Sequence, residues 1–253
     1  GIEVLFTDSF SSQRIKKNKL YSNKYIIKKS DLLIAIGGDG TLLSSARIFG
    51  SNDLPILGVN LGNIGFLTDI NPENLTSSLI DIINGNFIKD ERFLLNALVN
   101  NQQKNNIALN EVVIHSGLVA QLIEYELFID NEFVYRQKSD GLIISSPTGS
   151  TAYSMSAGGP IIHPSLNSIN IVPMSPHSLN TRSLVIESTR RISIRLLSKK
   201  GAKLSLDSHN ILPLKHEDEV TVLQDDSRLN LIHPVGHNFY DACRNKLNWS
   251  SVT

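Results

Sequence analysis

The residues able to do chemistry concentrate in a few short runs, and the sharpest is Gly37-Gly38-Asp39-Gly40-Thr41. It lies where the apolar run Asp31 to Ile36 stops and a stretch of helical composition, Thr41 to Phe49, begins. Three glycines permit positive φ and close backbone approach, so amide N–H groups can converge on phosphate oxygens at a helix N-terminus. A carboxylate in such a cradle repels phosphate; it makes sense as a base, or as a Mg²⁺ partner, in phosphoryl transfer. No Gly-Lys-Ser/Thr follows, so this is not a Walker loop, and the spacing does not fit Gly-x-Gly-x-x-Gly, which removes support from hydride transfer. Taken alone, the turn carries nearly equal weight as a simple chain reversal.

A second run, Ser145 to Gly159, packs small hydroxyl residues and glycines just behind the apolar Leu142 to Ile144. Such a stretch is expensive to order unless it grips something. Asn110 and Glu111 pair an amide with a carboxylate, a donor and acceptors for vicinal hydroxyls, although by themselves they read as a loop-to-strand junction. Asp140-Gly141 follows a basic stretch containing Arg136 and Lys138, and Lys138 alone reads as a solvated cation.

The elements that must carry these residues divide by period. Asp31 to Ile36 and Pro55 to Val59 read as buried strands of a parallel sheet. Between them Leu42, Leu43, Ala46 and Phe49 line one face of a helix that Gly50 stops, and Asn71-Pro72-Glu73 caps a second helix with Leu75, Leu79, Ile82 and Ile83. The opening Ile2 to Phe6 is strand-like. After about Phe93 the period becomes two: 93–99, 108–114, 121–129, 191–197, 203–206 and 219–223 alternate, with a hairpin turn over 129–133. This predicts an α/β domain over 1–92, with the tail of about 236–253 packing back on it, and an all-β, sandwich-like domain over 93–235.

A formal net charge of zero gives no support for nucleic-acid binding, which needs an excess of Lys and Arg. One cysteine, Cys243, excludes an internal disulfide. No run reaches the roughly 18 apolar residues of a membrane span and no signal segment opens the chain, so no membrane partner and a cytoplasmic location are expected. The chain begins at Gly1 inside the strand-like run, and an N-terminal piece is expected to be missing.

At this point the chain becomes recognisable. Gly37 to Thr41 resembles the signature shared by NAD kinases, diacylglycerol and sphingosine kinases, and phosphofructokinases. Asn60 to Asp69, Asn110-Glu111, Ser139-Asp140-Gly141, Ser146 to Pro160 and Leu229 to Pro234 resemble the remaining NAD-kinase motifs in the family's order, closest to the bacterial branch. The resemblance implies a Rossmann-like first domain and phosphorylation of the 2′-hydroxyl of the adenosine ribose of NAD, by ATP or another phosphoryl donor with Mg²⁺ or another divalent cation, to give NADP. Asp39 matches the catalytic carboxylate, and Gly38 and Gly40 approach the phosphates and ribose. Asn110 and Glu111 match the ribose contacts, Asp140 the residue facing one end of the dinucleotide, and Lys138 a basic contact. Thr151, Ala152, Tyr153 and Ser156 match the adenine- and ribose-binding run, and Asn63 and Phe66 line the same cleft. No residue is assigned to a metal, and a homo-oligomer, dimer or tetramer, is implied.

Departures from the family pattern are Ser183 for a proline after Arg182, and Asp207-Ser208-His209 for Asp-Gly-Gln near the dinucleotide, where His209 reads equally as a replacement for the glutamine contact and as an exposed strand-end histidine. The family's opening strand, with its Gly and Arg near the triphosphate, has no counterpart before Ile2. Two other readings compete: a lipid kinase sharing the glycine turn, which would need an apolar groove, and a dinucleotide sensor without catalysis.

Overall fold

The computed structural model describes residues 1–8, 20–62, 65–102, 106–118, 121–178 and 180–249. The chain divides into two compact units, Gly1–Glu91 with Ser227–Thr253, and Arg92–Asp226.

In the first unit the strands β1 (Phe6–Thr7) and β2 (Leu20–Tyr21) pair in parallel, followed by helix α1 (Asn23–Lys29). Strand β3 (Leu33–Ile36) leads into helix α2 (Asp39–Phe49), and strand β4 (Ile56–Val59) returns parallel to β3 with Ala35 opposite Gly58. All four residues of β4 are buried, as in a parallel strand covered on both faces. Helix α2 turns Leu42, Ala46 and Phe49 inward at helical spacing. Its end departs from expectation: Gly50 stays right-handed, a 3-10 turn continues to Asn52, and Asp53 at φ 54° takes the left-handed position. Helix α3 (Leu75–Ile83) opens with a 3-10 turn over Pro72–Asn74 and no side-chain cap from Asn71. Leu75, Leu79 and Ile82 join Leu57, Val59, Ile70 and Ile232 in one cluster, whereas Ile83 is exposed. The opening segment also differs, because residues 2–5 form no strand and Ile2 and Val4 are exposed. Among the described residues no helix is long and apolar enough to cross a membrane.

Strand β5 (Phe87–Val99) carries the chain out of the first unit. In the second, β6 (Ile107–Ala108), β7 (Glu111–His115), β8 (Ile123–Ile129), β9 (Glu132–Ser139) and β10 (Gly141–Ser145) precede the short helix α4 (Tyr153–Ser156). Then come β11 (Ser168–Met174), β12 (Leu184–Glu187), β13 (Ile192–Leu196), β14 (Ala202–Leu206), β15 (His209–Leu214), β16 (Glu219–Pro234) and helix α5 (Phe239–Leu247). One sheet runs β12-β11-β10-β7-β14-β15, antiparallel throughout. Facing it, β9, β8, β13 and the start of β16 pair antiparallel. Alternate residues of the two layers, among them Ile114, Leu142 and Ile171 from one and Tyr125, Ile194 and Val222 from the other, fill one core. The alternation from Phe93 onward therefore does build a sandwich. Strand β16 is longer than its period-two segment: Leu231 and Ile232 pair parallel with β4 in the first unit.

Gly58 marks where β4, α2 and the following loop meet, since a Cβ there would lie 2.9 Å from Leu42 Cδ1, Leu67 O and Thr68 Cγ2. Gly58→Ala is expected to lower unfolding stability by about 1–3 kcal/mol, the usual cost of overpacking. Urea denaturation checks this, and a wild-type midpoint would contradict it.

Candidate functional site

The glycine turn is resolved residue by residue. Gly37 donates its amide to Val59 O at 2.8 Å and sits at φ 155°, and a Cβ there would lie 2.2 Å from Thr41 Oγ1. The fold itself requires glycine at that position. It makes no such demand at Gly38, the N-cap at φ −90°, or at Gly40, where an added Cβ meets nothing within 4 Å. Glycines without a structural reason at a helix N-terminus leave the first-turn amides open to a phosphate-bearing ligand.

Asp39, the first residue of α2, is half-buried, and its carboxylate is clasped by the loop after β4. Oδ1 accepts from the amides of Leu67 at 3.1 Å and Thr68 at 3.2 Å and from the Thr68 hydroxyl at 3.1 Å. Among the described residues, Oδ2 accepts only the Phe66 amide, at 2.9 Å. Gly65 lets the loop close, since a Cβ there would stand 1.9 Å from Asp39 Oδ1. The carboxylate is thus fixed through Oδ1, with lone-pair capacity remaining on Oδ2. Phe66 contributes its amide to this clasp, and its half-buried ring lies 6.4 Å from that of Phe239. Asn63 lies outside the described residues.

In the second unit another aspartate organises the backbone. Asp207 and Ser208, at φ 47° and 59°, form a left-handed two-residue turn between β14 and β15. The buried Asp207 carboxylate accepts the amides of Leu109 at 2.8 Å, Asn110 at 2.8 Å and Glu111 at 3.1 Å. Both side chains so placed are buried, and Asn110 Oδ1 and Glu111 Oε2 find no hydrogen-bond partner among the described residues. Burial, with the Asp207 charge beside it, pushes the Glu111 carboxyl up to about 8. Unsatisfied buried acceptors cost about 1–3 kcal/mol each, and a pair of them side by side suits the hydroxyls of a sugar. The Asp207 clamp escaped the sequence reading, which looked to His209 in that tripeptide. That histidine is exposed, and its Nδ1 donates to Asp207 O at 2.7 Å.

The hydroxyl-rich segment splits by direction. Its inner members hold it down: Ser146 Oγ donates to Leu109 O at 2.6 Å, Ser150 Oγ donates to Pro147 O at 2.7 Å, and Ser154 Oγ accepts from Asn170 at 3.0 Å. Thr148 accepts from the buried Arg92 at 3.0 Å. Gly149 is required, because a Cβ would fall 2.2 Å from Asn110 O. Thr151 and Ala152 are left half-buried, and Tyr153 and Ser156 exposed. Asp140 is half-buried and donates its amide to Met174 O at 3.0 Å. Lys138, exposed on β9, lies 3.6 Å from Glu124, which Arg136 also binds.

Among the described residues, Asp69, His233 and His237 in the first unit are the His/acid group compact enough for a metal ion, their donor atoms lying within 4.8 Å. The two imidazoles stack at 3.8 Å and 14°, and hydrogen bonding accounts for their convergence on the acid. Asp69 Oδ2 accepts from Nδ1 of His233 at 3.0 Å and of His237 at 2.7 Å. Burial opposes charge on Asp69, but these bonds outweigh it and pull its carboxyl down to about 2.

Comparison with known proteins decides the family. The family model described as the ATP-NAD kinase N-terminal domain matches residues 5–87, and that of the C-terminal domain matches residues 109–234. The NAD kinase of Pseudoalteromonas translucida is 46% identical over 258 residues, spanning 99% of this chain and 88% of that protein. That of Saccharophagus degradans is 45% identical over 262 residues, 100% of this chain and 88% of its own. The chain belongs to the ATP-NAD kinase family. Among solved structures, yeast NADH kinase complexed with NADH superposes with a TM-score of 0.84 at 29% identity, covering 94% of this chain and 73% of that one. An Archaeoglobus fulgidus NAD kinase in complex with ATP gives 0.74 at 25% identity, covering 89% and 84%. Family membership sets aside the lipid-kinase reading and supports the α/β plus β-sandwich assignment.

Glu111 yields a prediction with a definite sign. Its folded pKa lies above its unfolded value, so between about pH 4.5 and 8 the folded state holds a proton that the unfolded state has lost, and stability falls as pH rises. Glu111→Gln is expected to flatten that slope, as measured by urea midpoints at pH 5 through 8. Parallel slopes for the two proteins would contradict it.

Proposed function

We propose that this protein transfers the γ-phosphoryl group of ATP to the 2′-hydroxyl of the adenosine ribose of NAD, giving NADP and ADP, with Asp39 as general base. The observation that carries the reading is the Asp39 carboxylate, held through Oδ1 at the start of α2 between two glycines whose lack of a side chain the fold does not require. Asp39 Oδ2 accepts the proton of the ribose 2′-hydroxyl as that oxygen attacks the γ-phosphorus; the bond to the β,γ-bridging oxygen breaks and ADP leaves. First-turn amides flanked by Gly38 and Gly40 favour the phosphate charge.

Asn110 and Glu111 hold a substrate ribose. With its carboxyl at about 8, Glu111 is protonated at neutral pH and donates, while Asn110 Oδ1 accepts, so the pair offers complementary partners to a vicinal diol. Thr151, Ala152, Tyr153 and Ser156 form the adenine- and ribose-binding face, with the Tyr153 ring available for stacking. Asp140 and Lys138 contact the dinucleotide, and His209 offers Nε2, its other nitrogen being engaged by Asp207 O. Mg²⁺ bound with ATP would supply charge neutralisation for the transferring phosphoryl group. The family resemblance supports this cation, a homo-oligomer and a cytoplasmic site of action.

Purified protein given NAD and MgATP is expected to form NADP, detected chromatographically, and to stop when EDTA removes the divalent cation. Absence of NADP with ATP and with polyphosphate would overturn the assignment. Asp39→Asn is expected to lower kcat by roughly 10²–10⁴-fold, the usual contribution of general-base catalysis. Calorimetry should show NAD affinity nearly unchanged, and a wild-type kcat would remove Asp39 from its role.

A further inference from the structure

Behind the Asp39 clasp stands a buried polar group that takes no part in the chemistry above. Asp69 directly follows Thr68, whose amide and hydroxyl both donate to Asp39 Oδ1. Asp69 in turn accepts from His233 and His237 through the single oxygen Oδ2. The opposite nitrogen of His233, Nε2, faces Asp90 Oδ2 at 3.6 Å, and the His233 side chain is only 1% exposed. All of these residues lie in the first unit.

The clasp needs such support. Three of its four donors are backbone amides, so their aim is set by the φ and ψ of residues 66–68 and by nothing further out along a side chain. Those residues belong to no helix or strand that would fix the angles. The Asn60 amide bonds Ile70 O at 2.8 Å and the Gly65 amide bonds Thr68 O at 3.1 Å, which closes the loop upon itself. Asp69 is where the loop is tied to the C-terminal segment, and Phe239, two residues after His237, brings its ring toward Phe66.

We infer that Asp69, His233 and His237 are positioning residues, a brace that holds residues 66–68 in the register that aims the Asp39 carboxylate. The inference rests on the reading of Asp39 as the base. Burial opposes charge on His233, yet its bond to Asp69 and the Asp90 carboxylate 3.6 Å from Nε2 raise its affinity for a proton, so the bond from His233 to Asp69 is charge-assisted, the stiff kind. Stability alone does not call for this arrangement. Buried ionic groups are commonly no more stabilising than apolar residues of similar volume, and their attested advantage is in specifying one geometry.

A double-mutant cycle on the full-length enzyme tests the brace. His237→Ala is expected to lower kcat by about 10-fold or more, in keeping with the sensitivity of catalysis to misplacements of about 1 Å, with KM for NAD changed by less than about twofold. In an Asp39→Asn background the same substitution should change kcat by less than about twofold, because the group it aims is gone. His237→Asn, whose side-chain N–H can take the place of Nδ1, should recover most of the lost kcat. An equal fold-loss in both backgrounds, or a wild-type kcat for His237→Ala, overturns the inference. If His237→Ala does not fold, Asp69→Asn, which keeps the shape and loses the charge, runs the same cycle with the same criteria. Should Asp39→Asn itself turn over like wild type, the base reading fails and the brace falls with it, an outcome distinct from failure of the brace alone.

Discussion

One contact organises the first unit: the Asp39 carboxylate meeting the converging amides of Phe66, Leu67 and Thr68. A carboxylate on the first turn of a helix can rotate toward many partners, and the helix alone does not choose among them. Here the choice is made by a loop 27 to 29 residues further along the chain. The parallel pairing of β3 with β4 brings that loop beside the N-terminus of α2, and two glycines make the approach possible. Gly58 lets α2 and the loop close on β4, and Gly65 lets the loop reach the acid without colliding with it.

Three aspartates use hydrogen-bond donors to different ends. Asp207 is buried and surrounded by the amides of residues 109–111, so its charge sets the backbone that presents Asn110 and Glu111. It also raises the proton affinity of the neighbouring Glu111, and one buried charge thereby keeps the next carboxyl neutral. Asp69 is met by two imidazoles and is driven far toward the ionised form, which suits a structural anchor. Among the described residues Asp39 receives neutral donors, amides and a hydroxyl, and three of the four fall on one oxygen. Orientation is supplied there, among the described residues, by hydrogen bonds from neutral groups.

Much of the architecture was legible in short-range pattern. The switch from helical period to period two near Phe93 separates an α/β region from a sandwich, because a strand's alternation directly reflects which face is covered. The place of the glycine turn was legible too, as the break where β3 ends and α2 begins, although its residues alone serve equally as a chain reversal. The longer reach of β16 was not legible: it continues past its alternating segment because β4 offers Leu231 and Ile232 a parallel partner, and that partner lies far away in the sequence. The clamps by Asp207 and Asp69 stayed hidden for a similar reason. They join residues about a hundred or more positions apart, 96 to 98 for Asp207 and 164 to 168 for Asp69, and no periodicity spans such distances.

Ser208 shows how a departure from the family pattern is absorbed. This chain places Ser208 in the left-handed region, a conformation that costs an L-residue roughly 1–2 kcal/mol and that glycine adopts freely. The turn keeps its shape because the interactions on either side specify it independently. Asp207 is anchored to three amides, and the His209 ring donates back to Asp207 O. A substitution that would unravel an isolated hairpin is thus tolerated, since the amides of residues 109–111 need the Asp207 carboxylate where it is and leave the backbone no cheaper alternative.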